Sequence, residues 1–468
     1  MSSVINTNVA SLIAQQALSQ NNTSLNTSLQ RLSTGLKINS GADNPSGYIA
    51  SQALLAESTG ISTAIDNANQ ANNVIGTAEG GLSEVSSLLV QLQGLVSQSA
   101  NTGALSTQET AADQLQVDSI LNTVNRIANN TSFQGTQLLN GSLAYTTSGV
   151  TNTDIGGLQV NSAVVPHGGT VAVSVQVVAS ATTGQITYTG GAVAHGGVTL
   201  EVAGNLGTQQ LSFASGTAVS AIAAAINGVS ASTGLSAAVV STSLQVNSTS
   251  FGSSQYVGIQ AISGTFSGLS ANTSYGTDAK VNVNGSAAQV SGLDVTYRTS
   301  TLDVSLTLQH SFNTSGSTSF HVTGGGASFA LGEAVTTNGV ASIGISSVAT
   351  TNLGDGINGY LDSLGTGGTN SLSSGNLNAA QTVLTNAISQ VSTLSGRLGA
   401  FQDYTIGSTI NSLSVAYENA SAATSAIEDT DFAAETSNLT RAQILTQAAS
   451  TVLSQANSQP ANVLKLLG

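Results

Sequence analysis

Apolar residues at both ends of the chain fall into heptad register, and that register decides what the chain can fold into. Leu18, Leu25, Leu29, Leu32 and Leu36 step by 7, 4, 3 and 4, the seam of a helix that packs lengthwise on another. A second run carries Ile61, Ile65, Ala68, Ile75, Ala78, Leu82, Leu89, Leu92 and Val96. At about 1.5 Å per residue, Ile61 to Gln98 predicts a rod roughly 55 Å long. Gly80 and Gly81 lie inside it and mark a local weak point, since glycine costs about 1 kcal/mol relative to alanine in a helix. Near the other end, Val383, Leu384, Ile388, Val391, Leu394, Leu398, Phe401, Ile406 and Ile410 continue the same spacing as one long helix. Leu439, Ala442, Ala449, Val452 and Ala456 form another, which Pro460 is expected to end or kink. A lone amphipathic helix is marginal in water, so the two ends are expected to pair with each other.

Punctuation between these runs is sparse and specific. "LSTGLKINSGADNPSGYIAS", Leu32 to Ser51, holds Gly35, Gly41, Pro45 and Gly47 between two helical patterns, with Arg31 and Lys37 at or near it. "NTGALSTQETAADQ" reads as a reversal, with Ser106 and Glu109 matching a capping box. The helix after it offers Leu115, Ile120, Val124 and Ile127 as its apolar edge.

The middle, roughly Gly149 to Gly375, obeys another period. Val171, Val173, Val175 and Val177 alternate with polar or small residues, as do Leu302, Val304, Leu306 and Leu308. These are half-buried antiparallel strands. One helix, "TAVSAIAAAINGVS", interrupts them and ends at Asn227-Gly228. The fold class is therefore α+β and multidomain: long paired N- and C-terminal helices in a coiled-coil bundle, with a mainly antiparallel β insert. The expected divisions are residues 1–40 with 428–468, 41–148 with 376–427, and an insert of 149–375 with room for two subdomains.

Composition removes several function classes. Only 6% of residues are charged and the net charge is −14, which opposes nucleic acids and anionic membranes. There is no cysteine, hence no disulfide framework or thiolate site. No run of about 20 apolar residues is present to span a membrane, and the first residues lack the basic and apolar regions of a cleaved secretory signal. The histidines, His167, His195, His310 and His321, form no metal-binding motif. Asp294, Asp303, Asp355 and Asp362 read as turn carboxylates, and "GGG" at Gly324 to Gly326 lacks the lysine of a phosphate loop. No catalytic residue, metal or cofactor is expected, and the chain reads as a non-enzyme.

Paired terminal helices leave surplus seam, and head-to-tail contacts that do not close build a filament. Leu18, Leu25, Leu29, Arg31, Leu32, Leu36, Lys37, Leu439, Ile444, Leu445, Val452 and Leu453 are the expected subunit-interface residues. At this point the motifs themselves are informative. "INTNVASLIAQQAL", "SLQRLSTGLKINSGADNPSGYIAS", "SFQGTQLLNG", "LGAFQDY" and "AIEDTDFAAETSNLTRAQILTQAASTVLSQANSQPANVLKLLG" resemble bacterial flagellin, over about the first 145 and last 90 residues. The insert's "GVTLEVAGNLGTQQLSFASGTAVSAIAAAINGVSASTGLSAAVV" resembles a small repeat of flagellins and hook-associated proteins.

The resemblance implies a homopolymeric filament subunit for swimming, extracellular, exported unfolded by the flagellar apparatus without a cleaved signal. It implies concentric helical layers, with the Leu32–Ser51 stretch as the spoke between them, its glycines and Pro45 stopping the inner helix. It implies contacts with hook-associated junction and filament cap proteins, and an export chaperone docking on Ile444, Leu445, Val452, Leu453, Val463, Leu464, Leu466 and Leu467. It places the face read by an animal innate-immune receptor at Gln91, Leu95 and Gln116; two amides stand where a basic and an acidic residue are needed, so weak stimulation is expected. The competing readings are a hook–filament junction protein and a glycan-binding module carried by the insert.

Overall fold

The computed structural model describes residues 7–101, 106–165, 169–190, 192, 196–334, 336, 339–356 and 358–467, with side chains as far as residue 459. It contains two compact units. One comprises Met1–Asn69, Leu331–Gly339 and Gly407–Gly468; the other comprises Gln70–Ala330 and Val340–Ile406.

In the first unit, helix α1 (Val9–Thr34) pairs with helix α8 (Phe432–Leu467). Asn8 caps α1 by accepting from the Ser11 N–H at 3.0 Å, and Gly35 closes it in the left-handed region at φ 76°. Asp431 caps α8 through the N–H groups of Ala433 and Ala434. Helix α8 continues to Leu467, so Pro460 does not end it: proline removes one helical hydrogen bond, and the remaining ladder carries the helix past.

Helix α2 spans Pro45–Ser99 without a break, about 80 Å at 1.5 Å per residue. Pro45 is its first residue, where no N–H is needed, and the Asn44 carboxamide caps it by accepting from the Gly47 N–H. The bend thus divides its labour: Gly35 stops one helix and Pro45 starts the next. Gly81 is a packing residue, because a Cβ there would lie 2.7 Å from Leu139 Cδ1 and 2.8 Å from Thr131 Oγ1.

In the second unit, helix α3 (Thr107–Asn130) opens with the full Ser106–Glu109 capping box. Its buried edge is Asp113, Gln114, Val117, Leu121, Val124 and Ala128, so the edge is rotated from the one expected and Leu115 is exposed. The cause is Gln114, whose amide donates to the Leu364 carbonyl at 2.9 Å and accepts from the Leu372 N–H at 2.8 Å. A buried polar group so satisfied holds its helix face inward. A small hairpin, β1 (Ser132–Phe133) and β2 (Thr136–Gln137), follows. Helix α6 (Leu377–Ala400) buries Val383, Leu384, Val391, Leu394 and Leu398. It is joined to helix α7 (Ser408–Glu428) by a π-helical segment, Phe401–Gly407, so the single long helix expected is interrupted by one wide turn.

The β region holds two sandwiches, termed inner and outer, the outer one inserted into the chain of the inner. The inner pairs β14 (Ser286–Ala287), β13 (Lys280–Val283), β5 (Val171–Ala179), β18 (Gly316–Gly325) and β3 (Tyr145–Ser148) in that order. Facing it is the sheet β15 (Gln289–Ser291), β16 (Asp294–Arg298), β17 (Leu302–Leu308) and β4 (Ile155–Ala163). The alternating valines and leucines read from the sequence meet in this core: Val173, Val175 and Val177 against Leu302, Val304, Leu306 and Leu308.

The outer sandwich is inserted between β5 and β13. One sheet is β6 (Gln185–Tyr188), β10 (Ser243–Ser248) and β9 (Leu235–Val240). The other is β12 (Thr273–Tyr275), β11 (Tyr256–Gly264), β7 (Val198–Gly204) and β8 (Gly207–Phe213). Helix α4 (Val219–Gly228) adds Ile222 and Ile226 to their core, and a single turn, α5 (Ser230–Thr233), follows it. The chain enters and leaves through Thr182 and Thr277, which exchange backbone hydrogen bonds of 2.9 and 3.2 Å. Short hairpins β19 (Ala327–Ala330) with β20 (Val340–Ile343) and β21 (Gly354–Asp355) with β22 (Gly359–Tyr360) complete the chain.

Candidate assembly surface

Helices α1 and α8 run antiparallel, and polar contacts fix their register at both ends. Asn8 Nδ2 donates to the Ala456 carbonyl at 2.8 Å, and the Ser11 hydroxyl donates to Asn457 Oδ1 at 2.7 Å. At the opposite end Arg31 meets the buried Glu435 carboxylate at 3.7 Å. Arg31 therefore has a partner within its own chain. Just beyond, the Lys37 N–H bonds the Glu428 carbonyl and the Thr430 N–H bonds the Gly35 carbonyl, so a short β-like bridge locks the spoke to the start of α8.

The residues between the helices are small. Ser11, Ala14 and Ser28 of α1 are buried, as are Ala442, Ala449 and Ala456 of α8. Leu18, Leu25, Leu32, Leu36, Leu439 and Leu453 are half-buried beside them. Small side chains let two helix backbones approach closely. This corrects two expected seam positions by one residue each. Ser28 rather than Leu29, and Leu453 rather than Val452, faces the partner helix; Leu29 and Val452 are exposed. Lys37 is exposed as well.

The large apolar residues point the other way. Val9, Leu12, Ile13 and Leu29 of α1 stand in solvent, with Phe432, Ile444, Leu445 and Val452 of α8. Ile444 is 64% exposed and Ile13 63%. Covering a side chain of this size is worth roughly 1.5–3 kcal/mol, so eight exposed ones on a single helix pair are a strong drive to associate. The side chains of Val463, Leu464, Leu466 and Leu467 lie outside the described residues. Gln91 and Gln116 are exposed and Leu95 is half-buried.

The remaining sequence candidates resolve as scaffold. His310 packs against Phe251 with ring centroids 4.9 Å apart and the rings tilted by 47°, and His321 lies in β18; His167 and His195 fall outside the described residues. Asp303 pairs with Arg298 at 3.4 Å. Gly324, Gly325 and Gly326 all have positive φ, and a Cβ on Gly325 would lie 2.2 Å from the Ala144 carbonyl oxygen; they make a tight strand turn. Asp294 and Asp355 line one polar cleft of about 870 Å³. Asp294 accepts from the Thr307 hydroxyl, and Asp355 accepts from the Asn358 N–H and the Asn386 amide. No group of three metal-ligating side chains occurs among the described residues, and no described helix is long and apolar enough to cross a membrane.

Comparison with known proteins gives the family of the chain. The bacterial flagellin N-terminal helical region matches residues 5–144 and the C-terminal helical region residues 381–467. A flagellin hook IN motif matches residues 199–250, in the outer sandwich. The B-type flagellin of Pseudomonas aeruginosa is 30% identical over 522 aligned positions that cover 100% of both chains. This chain belongs to the bacterial flagellin family. Flagellin B of Vibrio cholerae is 29% identical over 99% of each chain. Among solved structures, the flagellar hook-associated protein-3 of Legionella pneumophila is 14% identical, covers 79% of this chain and 94% of its own, and superposes with a TM-score of 0.26. As a flagellin, the chain is a structural subunit of an extracellular flagellar filament that polymerises with other flagellin copies.

Proposed function

We propose that the exposed apolar residues of the α1–α8 pair make the inter-subunit contacts of a filament that drives swimming, and that the chain reaches it by unfolded export through the flagellar apparatus. One observation carries this reading: the pair buries alanine and serine inward and turns Leu12, Ile13, Leu29, Ile444, Leu445 and Val452 outward. A monomer has no use for that arrangement, whereas a helical array of copies covers it. Before assembly the same α8 face suits the groove of an export chaperone, which reads apolar anchors at helical spacing.

Seeded polymerisation tests the reading. Purified chain added to filament fragments should elongate them into long filaments in electron micrographs, and an Ile444→Asp, Val452→Asp chain should not. A wild-type chain that binds fragment ends without elongating them is a junction protein, and the proposal is then wrong.

A further inference from the structure

The outer sandwich presents a face that the filament reading leaves unused. We infer that the solvent face of the sheet β12–β11–β7–β8 binds a neutral, hydroxyl-rich glycan, through Tyr256 and Tyr275 together with Gln260, Glu201 and Gln210. Strand register places these side chains on one surface. Tyr256 pairs with Tyr275 across β11 and β12, and Gln260, Glu201 and Gln210 stand opposite one another across β11, β7 and β8. Between the two rows, Gly258 and Ala203 are cross-strand partners. A Cβ on Gly258 would meet Tyr256 Cε2 at 3.9 Å, so the tyrosine ring leans along a floor kept low by small residues. The opposite face of the sheet is filled by Val198, Leu200, Val202, Val257 and Ile259.

Three properties select the ligand. First, the two rings lie 5.8 Å apart and Tyr275 is 66% exposed, in a chain with only 4% aromatics and no tryptophan. Open aromatic faces with a polar tip suit the C–H face and hydroxyl rim of a sugar ring. Second, Glu201, Gln210 and Gln260 make no side-chain hydrogen bonds within the described residues. Their donors and acceptors are therefore available at strand spacing, about 4.8 Å. Third, Glu201 is the sole acidic residue between Thr182 and Thr277, and that stretch has no lysine or arginine. Anionic glycans and nucleic acids, which need basic partners, are excluded by charge.

The test uses the full-length chain, whose tyrosine emission is unmasked by tryptophan. Cellohexaose, maltohexaose and a neutral galactan are titrated, with hyaluronan as the anionic counterpart. Saturable binding of at least one neutral probe is expected. Tyr275→Ala should weaken it about tenfold, Tyr275→Phe should retain it, and hyaluronan should not bind. Because Tyr275 is exposed, neither substitution is expected to unfold the chain, and melting curves matched to wild type are the check on this. Absence of binding by every neutral probe, unchanged affinity of Tyr275→Ala, or equal binding of hyaluronan overturns the inference. So does Tyr275-dependent self-association in sedimentation that no neutral sugar displaces. Seeded elongation is measured on the same samples, so loss of sugar binding and loss of assembly are separable.

Discussion

The terminal pair α1–α8 and the buried edges of α2, α3 and α6 are built from the same heptad spacing, yet they handle their apolar residues in opposite ways. In the second unit, Ile75, Leu82, Leu89 and Leu92 of α2, Val117 and Val124 of α3, and Val391 and Leu398 of α6 are buried to within a few per cent. In the terminal pair the buried positions are alanine and serine with Glu435, several leucines are only half-buried beside them, and eight large apolar residues stand outside. A helix bundle that hides its leucines is finished as a single chain. A pair that hides its alanines is, on the proposed reading, finished only when further copies cover it. The difference teaches that periodicity locates a helix, whereas the size of the inward residues tells whether the partner lies in the same chain.

The sharpest way to break this comparison is to charge the two faces separately. Leu32→Asp or Leu453→Asp should abolish seeded elongation, because each places a charge in a half-buried seam that offers it no partner. Ile444→Asp should abolish elongation while leaving the monomer's melting temperature within about 1 °C, as surface changes are within about 0.5 kcal/mol. Retained filaments from both would sink the division between inner and outer faces. The converse is Leu89→Ala, which should cost the monomer roughly 2–5 kcal/mol in denaturant melts, a loss no outward residue of the terminal pair reproduces.

A smaller effect has opposite signs at adjacent glycines of α2. Gly81→Ala should destabilise by about 1–3 kcal/mol through overpacking, since Leu139 and Thr131 occupy its Cβ position. Gly80→Ala, with nothing within 4 Å, should stabilise by about 1 kcal/mol. Equal signs in thermal melts would mean that helix propensity and not close packing governs this stretch.

Acid gives the mildest test. Hydrogen bonds from the Ser253 hydroxyl and from the Gly292 and Ser253 N–H groups hold the Asp278 carboxyl below its ordinary value. Bonds from the Ser40 side chain and from the Asn39 and Ser40 N–H groups do the same for Asp43 in the spoke. A depressed folded-state pKa contributes stability that is present above the unfolded value, about 3.9, and is lost as pH falls through the folded one. Melting temperatures should therefore hold from pH 7 to about 5 and decline below about 4, and Asp278→Asn should flatten part of that decline. A pH-independent melt from 7 to 3 contradicts the assignment.

Much of this architecture is legible in the residues, and the exceptions share a cause. The helical ends, the capping box at Ser106 and the alternating strands Val171–Val177 and Leu302–Leu308 are local patterns, and local patterns survive in a single sequence. The spacing places the terminal seam at Leu29 and Val452 because hydrophobic spacing follows the largest residues, and here those stand in solvent. The edge of α3 was displaced because Gln114, a polar residue, is buried by two backbone contacts more than 240 residues away in the chain. The two sandwiches depend on pairings such as β5 with β18 and β4 with β17, whose long sequence separation leaves no local trace. The tyrosine face is likewise visible only once strand register brings Tyr256, Tyr275 and Glu201 together.

Thr182 and Thr277 lie side by side where the chain enters and leaves the outer sandwich. Chain ends that meet at such a point can be rejoined by a short turn, and another domain with neighbouring termini can be spliced there without altering the strands on either side. The neck is thus a cloning port, through which one sandwich can be exchanged for another domain while the strands on either side keep their wiring.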